Sequence, residues 1–260
     1  MRLPWALVAA TGCGLDLAPG TSGIPEDQSQ SDSAPIALYT FEEEVGPVLD
    51  RSAILPALDL EVNGATRVPG GIRFDSETAI VESMGPAEKI IDAVRESQAF
   101  SFEVWARSEG LVQGGPARLV SLSVDFSNVN AMLGHGTDRC SGAQADRLHA
   151  RIRTEDGRAD GCPSVEPIDV GPDGTVQHLV LTHDDVGQAR LFVNGELVAS
   201  QALGRIGNSW GPAILHLGRE GRSSSGSDLR PWRGILFRVA VFDRPLSASE
   251  ILQAYQRGVP

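Results

Sequence analysis

The stretch Arg190-Leu191-Phe192-Val193-Asn194-Gly195-Glu196-Leu197-Val198-Ala199 joins two runs rich in β-branched and aromatic residues through Asn-Gly. Both central residues of a type I′ turn need positive φ, which Asn and Gly adopt at least cost, so the stretch predicts a two-residue β-hairpin. Asp184-Asp185-Val186-Gly187 predicts a second hairpin turn just upstream. The same strand signal recurs along the chain. It is found in Ile36-Ala37-Leu38-Tyr39-Thr40-Phe41, in Gly71-Ile72-Arg73-Phe74, and in Phe100-Ser101-Phe102-Glu103-Val104-Trp105. In the last of these, Phe100, Phe102 and Val104 share one face, as a half-buried strand requires. Val120, Leu122, Val124 and Phe126 repeat the alternation, as do Leu148, Ala150 and Ile152, then Phe237, Val239 and Val241. With 29 glycines and 16 prolines to break helices, the chain reads as all-β.

Two short helical patterns interrupt the strands. Pro86 to Ser97 places Ile90, Ile91 and Val94 on one side, with Pro near the first turn. Ser247-Ala248-Ser249-Glu250 is a capping box, followed by the inward stripe Ile251, Leu252 and Tyr255 and stopped by Gly258. Many antiparallel strands with small helices in the connections predict a sandwich. The 260 residues are 41% hydrophobic, enough to bury a core. Formal net charge is −12, a field that repels phosphate backbones and disfavours nucleic acid as a partner. Lys89 is the single lysine among the cationic residues.

The chain opens with one positive charge, a short apolar run and small residues, the pattern of an export signal. Ala10-Thr11-Gly12-Cys13 resembles a bacterial lipobox, which implies a signal over residues 1–12, cleavage before Cys13 and lipidation of its thiol. A plain cleaved signal or a mis-called start codon is the alternative. Residues 13–34 then form the lipid anchor and a tether rich in Gly, Pro, Ser and Asp that cannot bury enough apolar area to fold. The chain is therefore expected to be exported and held at the cell envelope by its lipid alone, the outer membrane being the default. Cys140 and Cys162 remain, and an oxidising compartment lets them pair as a disulfide.

"ALYTFEEEVGPVLDRS", "GIRFDSETAIV", "FSFEVWAR", "QHLVLTHDDVGQARLFVNGELVAS" and "WRGILFRVAVFDRPLSASEILQAY" follow one another in the order of a laminin-G-like domain. The resemblance is to the concanavalin A-like lectin and glucanase jelly rolls, and it spans residues 35 to about 258 of a domain running to 260. It implies a two-sheet antiparallel sandwich of roughly a dozen strands with one or two short helices. It also implies a binding module for glycans, proteins or lipids, often with calcium near one edge. Three motifs depart from the family. Val176 stands where Trp is usual, Phe237-Arg238 replaces an Asp-Glu pair, and Asp50-Arg51-Ser52-Ala53-Ile54 keeps the aspartate of its loop but loses Gly-Asn. Asp50 is thus the one candidate calcium ligand, while calcium needs six to eight oxygens; no other cofactor is expected.

Catalytic patterns are weak. Retaining glycoside hydrolysis needs two carboxyls about 5 Å apart, and no E-x-D-x-x-E run is present. Glu42-Glu43-Glu44 reads as a solvated strand end. Gly207-Asn208-Ser209-Trp210-Gly211 matches Gly-x-Ser-x-Gly, but Pro212 and a strand-like run follow where a nucleophile elbow needs a helix. His178 and His183 fall on opposite faces of one strand, and His135, His149 and His216 have no ligand spacing. The chain is read as no enzyme.

For binding, Arg147-Leu148-His149-Ala150-Arg151-Ile152-Arg153 turns its apolar residues one way and Arg147, His149, Arg151 and Arg153 the other. That makes a cationic stripe roughly 20 Å long, suited to carboxylates or sulfates of an anionic glycan, unless acidic strands pair with it. Trp210, in a turn-rich loop, is the candidate sugar-stacking platform, with Trp105 and Trp232 assigned to the core. The functional expectation is a tethered, non-catalytic module recognising a glycan or an extracellular protein. A structural envelope lipoprotein is the alternative, a glycan-active enzyme the third reading, and oligomeric state is open.

Overall fold

The computed structural model describes residues 34–259 except 111, 114, 138–139, 141–146, 167–170 and 222–228. These belong to one compact unit, Ala34–Pro260. The expected leader, Cys13 and tether lie outside the described residues, as does the serine-rich run 223–227.

In chain order the elements are β1 (Ala37–Tyr39), β2 (Leu60–Asn63), β3 (Thr66–Val68), β4 (Gly71–Phe74), β5 (Ile80–Ser83) and α1 (Glu88–Ser97). There follow β6 (Phe100–Ser108), β7 (Ala117–Asp125), β8 (Asn128–His135), β9 (Leu148–Ile152), β10 (Val176–His183) and β11 (Gln188–Val193). The last are β12 (Glu196–Ala202), β13 (Ile214–Leu217), β14 (Gly234–Phe242) and α2 (Ala248–Arg257). One sheet runs β12-β11-β10-β6-β14-β4-β3, with β1 also paired to β14; the other runs β2-β5-β13-β7-β8-β9. All pairings are antiparallel.

The Asn-Gly hairpin forms as the φ argument requires, with Asn194 at +52° and Gly195 at +85° between β11 and β12. A Cβ on Gly195 would lie 3.0 Å from Leu252 Cδ1, so the turn packs closely against α2. The capping box of α2 is complete: Glu250 N donates to Ser247 Oγ, and Ser247 N donates to Glu250 Oε2.

Between the sheets lies a core that includes Phe74, Phe100, Phe102, Val104, Leu119, Val120, Leu179, Leu191, Leu215 and Trp232. A smaller cluster of Val180, Phe192, Ala240, Phe242, Leu246 and Ile251 lies on the other side of the eight-stranded sheet. This second layer explains a departure from the half-buried strand expected at β6, whose Ser101, Glu103 and Trp105 are buried as well. Trp105 stacks on His178, which stacks on Tyr255 of α2.

The alternation read from Val120 to Phe126 fails along β7, because register shifts occur between Arg118 and Val120 and again on both sides of Ser123. A bulge lets two successive residues, Leu119 and Val120, enter the core. Val124, expected inward, is exposed, and Phe126 lies beyond the strand under the Arg230 guanidinium.

Candidate functional site

Residues paired across an antiparallel ladder point to one face, so the register of the six-stranded sheet identifies what its outer face carries. One row reads Glu61, Glu82, His216, Ser121, Met132, Arg151 from β2 to β9. The next reads Arg118, Gly134, His149 on β7, β8 and β9. The bulge at Leu119 is what places Arg118 in this company. Strict alternation would have sent it inward with Val120 and Leu122.

Glu220, just past β13, is the hub of this face. Arg118 Nε donates to Glu220 Oε2 at 3.3 Å, the Ser123 hydroxyl donates to Oε1, and Gly221 N donates to Oε1 at 3.2 Å. Ser121 Oγ donates to Ser123 Oγ at 2.9 Å. His216 spans toward a second carboxylate, its Nδ1 3.1 Å from Glu82 Oε2 and its Nε2 4.0 Å from Glu220 Oε1. Both Arg118 and Glu220 side chains are 0% exposed.

Burial pulls the Arg118 guanidinium down to about 10; Glu220 opposes that shift, and Arg151 and Arg230 add to it. Its Nη1 and Nη2 have no hydrogen-bond partner among the described residues. A buried donor left unpaired is costly, and a charged one more so. Arg230, the third guanidinium, donates to the Gly115 carbonyl at 2.6 Å.

The cationic stripe expected on β9 is therefore corrected. His149 and Arg151 do lie on the outer face, but both are buried, while Arg147 and Arg153 flank the strand half-buried. Alternation identifies which side chains share a face; it does not report whether that face is open. Arg153 contributes its backbone instead: its carbonyl accepts Trp210 Nε1 at 3.0 Å and Ser209 Oγ at 3.2 Å.

Trp210 is likewise corrected from platform to core. It is 1% exposed and packs 5.1 Å from the Phe100 ring. Ser209 of the Gly-x-Ser-x-Gly match sits in this same turn, bonded to backbone rather than to a histidine.

Asp50 is corrected as a metal ligand. Its Oδ1 accepts Leu38 N and Ser52 N, and its Oδ2 accepts Leu58 N and Lys89 Nζ, the last at 2.6 Å. Lys89 of α1 also donates to Ser52 Oγ and the Ile54 carbonyl. A tethered ammonium thus takes the oxygen cage that a cation would need. Burial raises the Asp50 carboxyl, but the bonds from Lys89, Ser52 and Leu58 outweigh it and hold the group below its ordinary range.

Cys140 and Cys162 are disulfide-bonded, with Cα atoms 5.6 Å apart, bracketing β9. The segment after β9 returns along its edge, where Ala150 and Val165 exchange backbone hydrogen bonds of 2.8 Å.

His178 and His183 do fall on opposite faces of β10. His183 stacks on Phe100 and bonds the Gly204 carbonyl at 3.0 Å, whereas His178 bonds Glu103 at 3.0 Å beneath α2. Arg238 Nε donates to Glu103 at 3.3 Å. Burial raises the Glu103 carboxyl, and His178 with Arg238 more than offsets it.

Arg118, Glu220 and Arg230 escaped the sequence reading. The only signal for Arg118 was a lone charge inside an apolar run. Glu220 and Arg230 stand on either side of residues 222–228, with nothing local to link them to β7.

Residues 86–252 match the family model described as the concanavalin A-like lectin/glucanases superfamily. No curated protein matches the chain. Among solved structures, the botulinum neurotoxin serotype C1 binding domain is similar at TM-score 0.60 and 13% identity, over 86% of this chain and 52% of that one. The serotype D/C binding domain in complex with rat synaptotagmin II gives TM-score 0.60 and 11% identity, over 86% and 51%. A Trypanosoma rangeli sialidase gives 0.56 and 16%, over 86% and 33%. The chain thus spans about half the length of the toxin domains and a third of the sialidase. Identities this low establish the shared fold alone.

Proposed function

From the premise that the chain belongs to the concanavalin A-like lectin/glucanases superfamily, we propose that it is a non-catalytic recognition module for a glycan or an extracellular protein. The observation that carries this reading is the outer face of the six-stranded sheet. There the jelly roll places three arginines, two histidines, two serines and Glu220 on adjoining strands and loops. Structural needs are met more cheaply by apolar residues of similar volume.

Proteins of this fold supply the precedent. A toxin binding domain is described in complex with SialylT, type C toxin entry is described as dependent on two ganglioside molecules, and another toxin domain is seen with synaptotagmin II. Fold alone does not carry function across, so the test must be direct.

The module is further proposed to be exported and tethered by a lipid on Cys13, with residues 14–34 as spacer and the outer membrane as its site. The lipobox-like Ala10-Thr11-Gly12-Cys13 supports this. Metabolic labelling with a radioactive fatty acid tests it: label retained by Cys13→Ser would overturn the anchor.

The decisive experiment for recognition is a glycan array on the protein, run with calcium and again with chelator. Binding that survives chelator is expected, because Lys89 occupies the Asp50 cage. A blank array in both conditions would overturn glycan recognition and favour the protein partner or the structural envelope role. Steady hydrolysis of an array glycan would overturn the non-catalytic reading.

A further inference from the structure

We propose that the groove between residues 41–47 and the β2–β3 corner is the docking site for an extended, basic segment of a partner protein. It lies apart from the outer face of the six-stranded sheet, so it goes beyond the reading above and does not depend on a glycan binding there.

The groove follows from how two sheet edges meet. β2 ends the six-stranded sheet and β3 ends the eight-stranded one, with only Gly64 and Ala65 between them. Val48 bridges to Leu60 of β2, but among the described residues no backbone hydrogen bond joins residues 41–47 to β3. Two cavities that share Arg67 occupy the space between. The larger, about 650 Å³, has Val45, Asp59, Glu61, Val62 and Met84 in its walls; the smaller, about 490 Å³, has Glu42, Glu43, Glu44 and Val68. Glu42, Glu44, Val45, Glu61 and Met84 are exposed, so a ligand in solution can reach both.

Unsatisfied groups line this groove. Arg67 Nη2 donates to the Gly46 carbonyl at 2.7 Å, whereas its Nη1 is buried with no hydrogen-bond partner among the described residues. Glu43 departs from the solvated strand end expected of its acidic run. Its side chain is 9% exposed; Oε1 accepts from Arg51 at 2.7 Å, and Oε2 is buried without a hydrogen bond among the described residues. Arg67 Nη1 and Glu43 Oε2 lie 3.8 Å apart, too far to satisfy each other. Buried polar groups are nearly always bonded, so a spare donor beside a spare acceptor marks a place for a ligand that offers both. An extended peptide does so, because the N–H and C=O of one residue point to the same edge.

Charge selects the side chains of that peptide. Glu42, Glu43, Glu44, Asp59 and Glu61 line the two cavities against the guanidinium of Arg67, in a chain of formal net charge −12. Such a field draws in lysine and arginine. It also turns away the two other occupants at hand. A second copy brings the same negative charge, and residues 14–33 carry Asp16, Glu26, Asp27 and Asp32 with no lysine or arginine. Val45 and Met84, 84% and 78% exposed, offer the peptide an uncovered apolar surface beside the carboxylates.

The test must separate this groove from a general attraction of cations to an acidic protein. Titration calorimetry on the full chain would use nonapeptides alternating lysine or arginine with valine or leucine, the same peptides with glutamate for the cations, and a chitosan hexamer. At least one basic peptide is expected to bind with Kd below about 1 mM, and the glutamate peptides not to bind. Glu43→Gln should weaken binding at least about tenfold. Glu196→Gln makes the same charge change on β12, at the opposite end of the eight-stranded sheet from β3, and should weaken it less than about twofold. Val45→Ser with Met84→Ser leaves the charge untouched and should still weaken it about fivefold or more. Should Glu43→Gln fail to fold, as near-ultraviolet circular dichroism would show, the serine pair decides, since both replaced side chains are exposed. No binding by any basic peptide, equal losses for Glu43→Gln and Glu196→Gln, or no loss with the serine pair would overturn the groove as a docking site. Chitosan binding as tight as the best peptide would overturn the peptide as its occupant. A blank glycan array, by contrast, bears on the outer face alone and leaves this inference standing.

Discussion

Replacing Lys89 with methionine is expected to destabilise the domain by about 3 kcal/mol, the lower end of what breaking a buried ion pair costs. Lys89 Nζ lies 2.6 Å from Asp50 Oδ2, and the two side chains are 4% and 0% exposed, so almost no water can stand in for the lost ammonium. Asp50 keeps three backbone donors, Leu38, Ser52 and Leu58, which is why the lower end applies.

The pH dependence supplies an independent check. In the folded protein the bonds to Asp50 overcome the effect of burial and hold its carboxyl below its ordinary value. Its stabilising contribution is therefore present above the unfolded value of about 3.9 and is lost as pH falls through the folded value. Without the ammonium, burial is less opposed and the carboxyl titrates higher. The variant is then at its worst near neutrality, and its deficit against wild type shrinks toward pH 4 and below. Guanidinium chloride unfolding at pH 7 and pH 4, with Asp50→Asn and the double variant completing a cycle, measures both effects. A loss under about 1 kcal/mol that does not change with pH would refute the buried-pair reasoning.

Three further outcomes are expected. Ser247→Ala removes the cap oxygen bonded by Glu250 N and should cost about 1 kcal/mol in thermal unfolding, with α2 fraying first in hydrogen exchange. Replacing both Cys140 and Cys162 with serine opens a loop with a sequence separation of 22 and should cost about 3 kcal/mol in denaturant unfolding; an unchanged midpoint would refute this. Burial lowers His135 to about 4, so the unfolded chain takes up a proton there first as pH falls. Stability should drop by about 2 kcal/mol between pH 7 and pH 5 on this account, and His135→Gln should remove that much of the slope.

Local chemistry made much of this architecture readable. The Asn194-Gly195 turn follows from two residues that tolerate positive φ, and the α2 boundary follows from a hydroxyl and a carboxylate three positions apart. The Phe100, Phe102 and Val104 face follows from the pleat of a single strand. Each rests on atoms within a few residues of one another, so the amino-acid order is sufficient.

The candidate site belongs to a different class of information. Arg118 reaches the outer face because β7 bulges against β8, and Glu220 meets it across 102 positions of chain. Lys89 fills the cage at Asp50 across 39 positions, and Trp210 turns inward to the carbonyl of Arg153 across 57. Alternation along β9 identified His149 and Arg151 as neighbours on one face. Whether that face met water or protein depended on what folded over it, a property of the packed molecule that no stretch of residues carries alone.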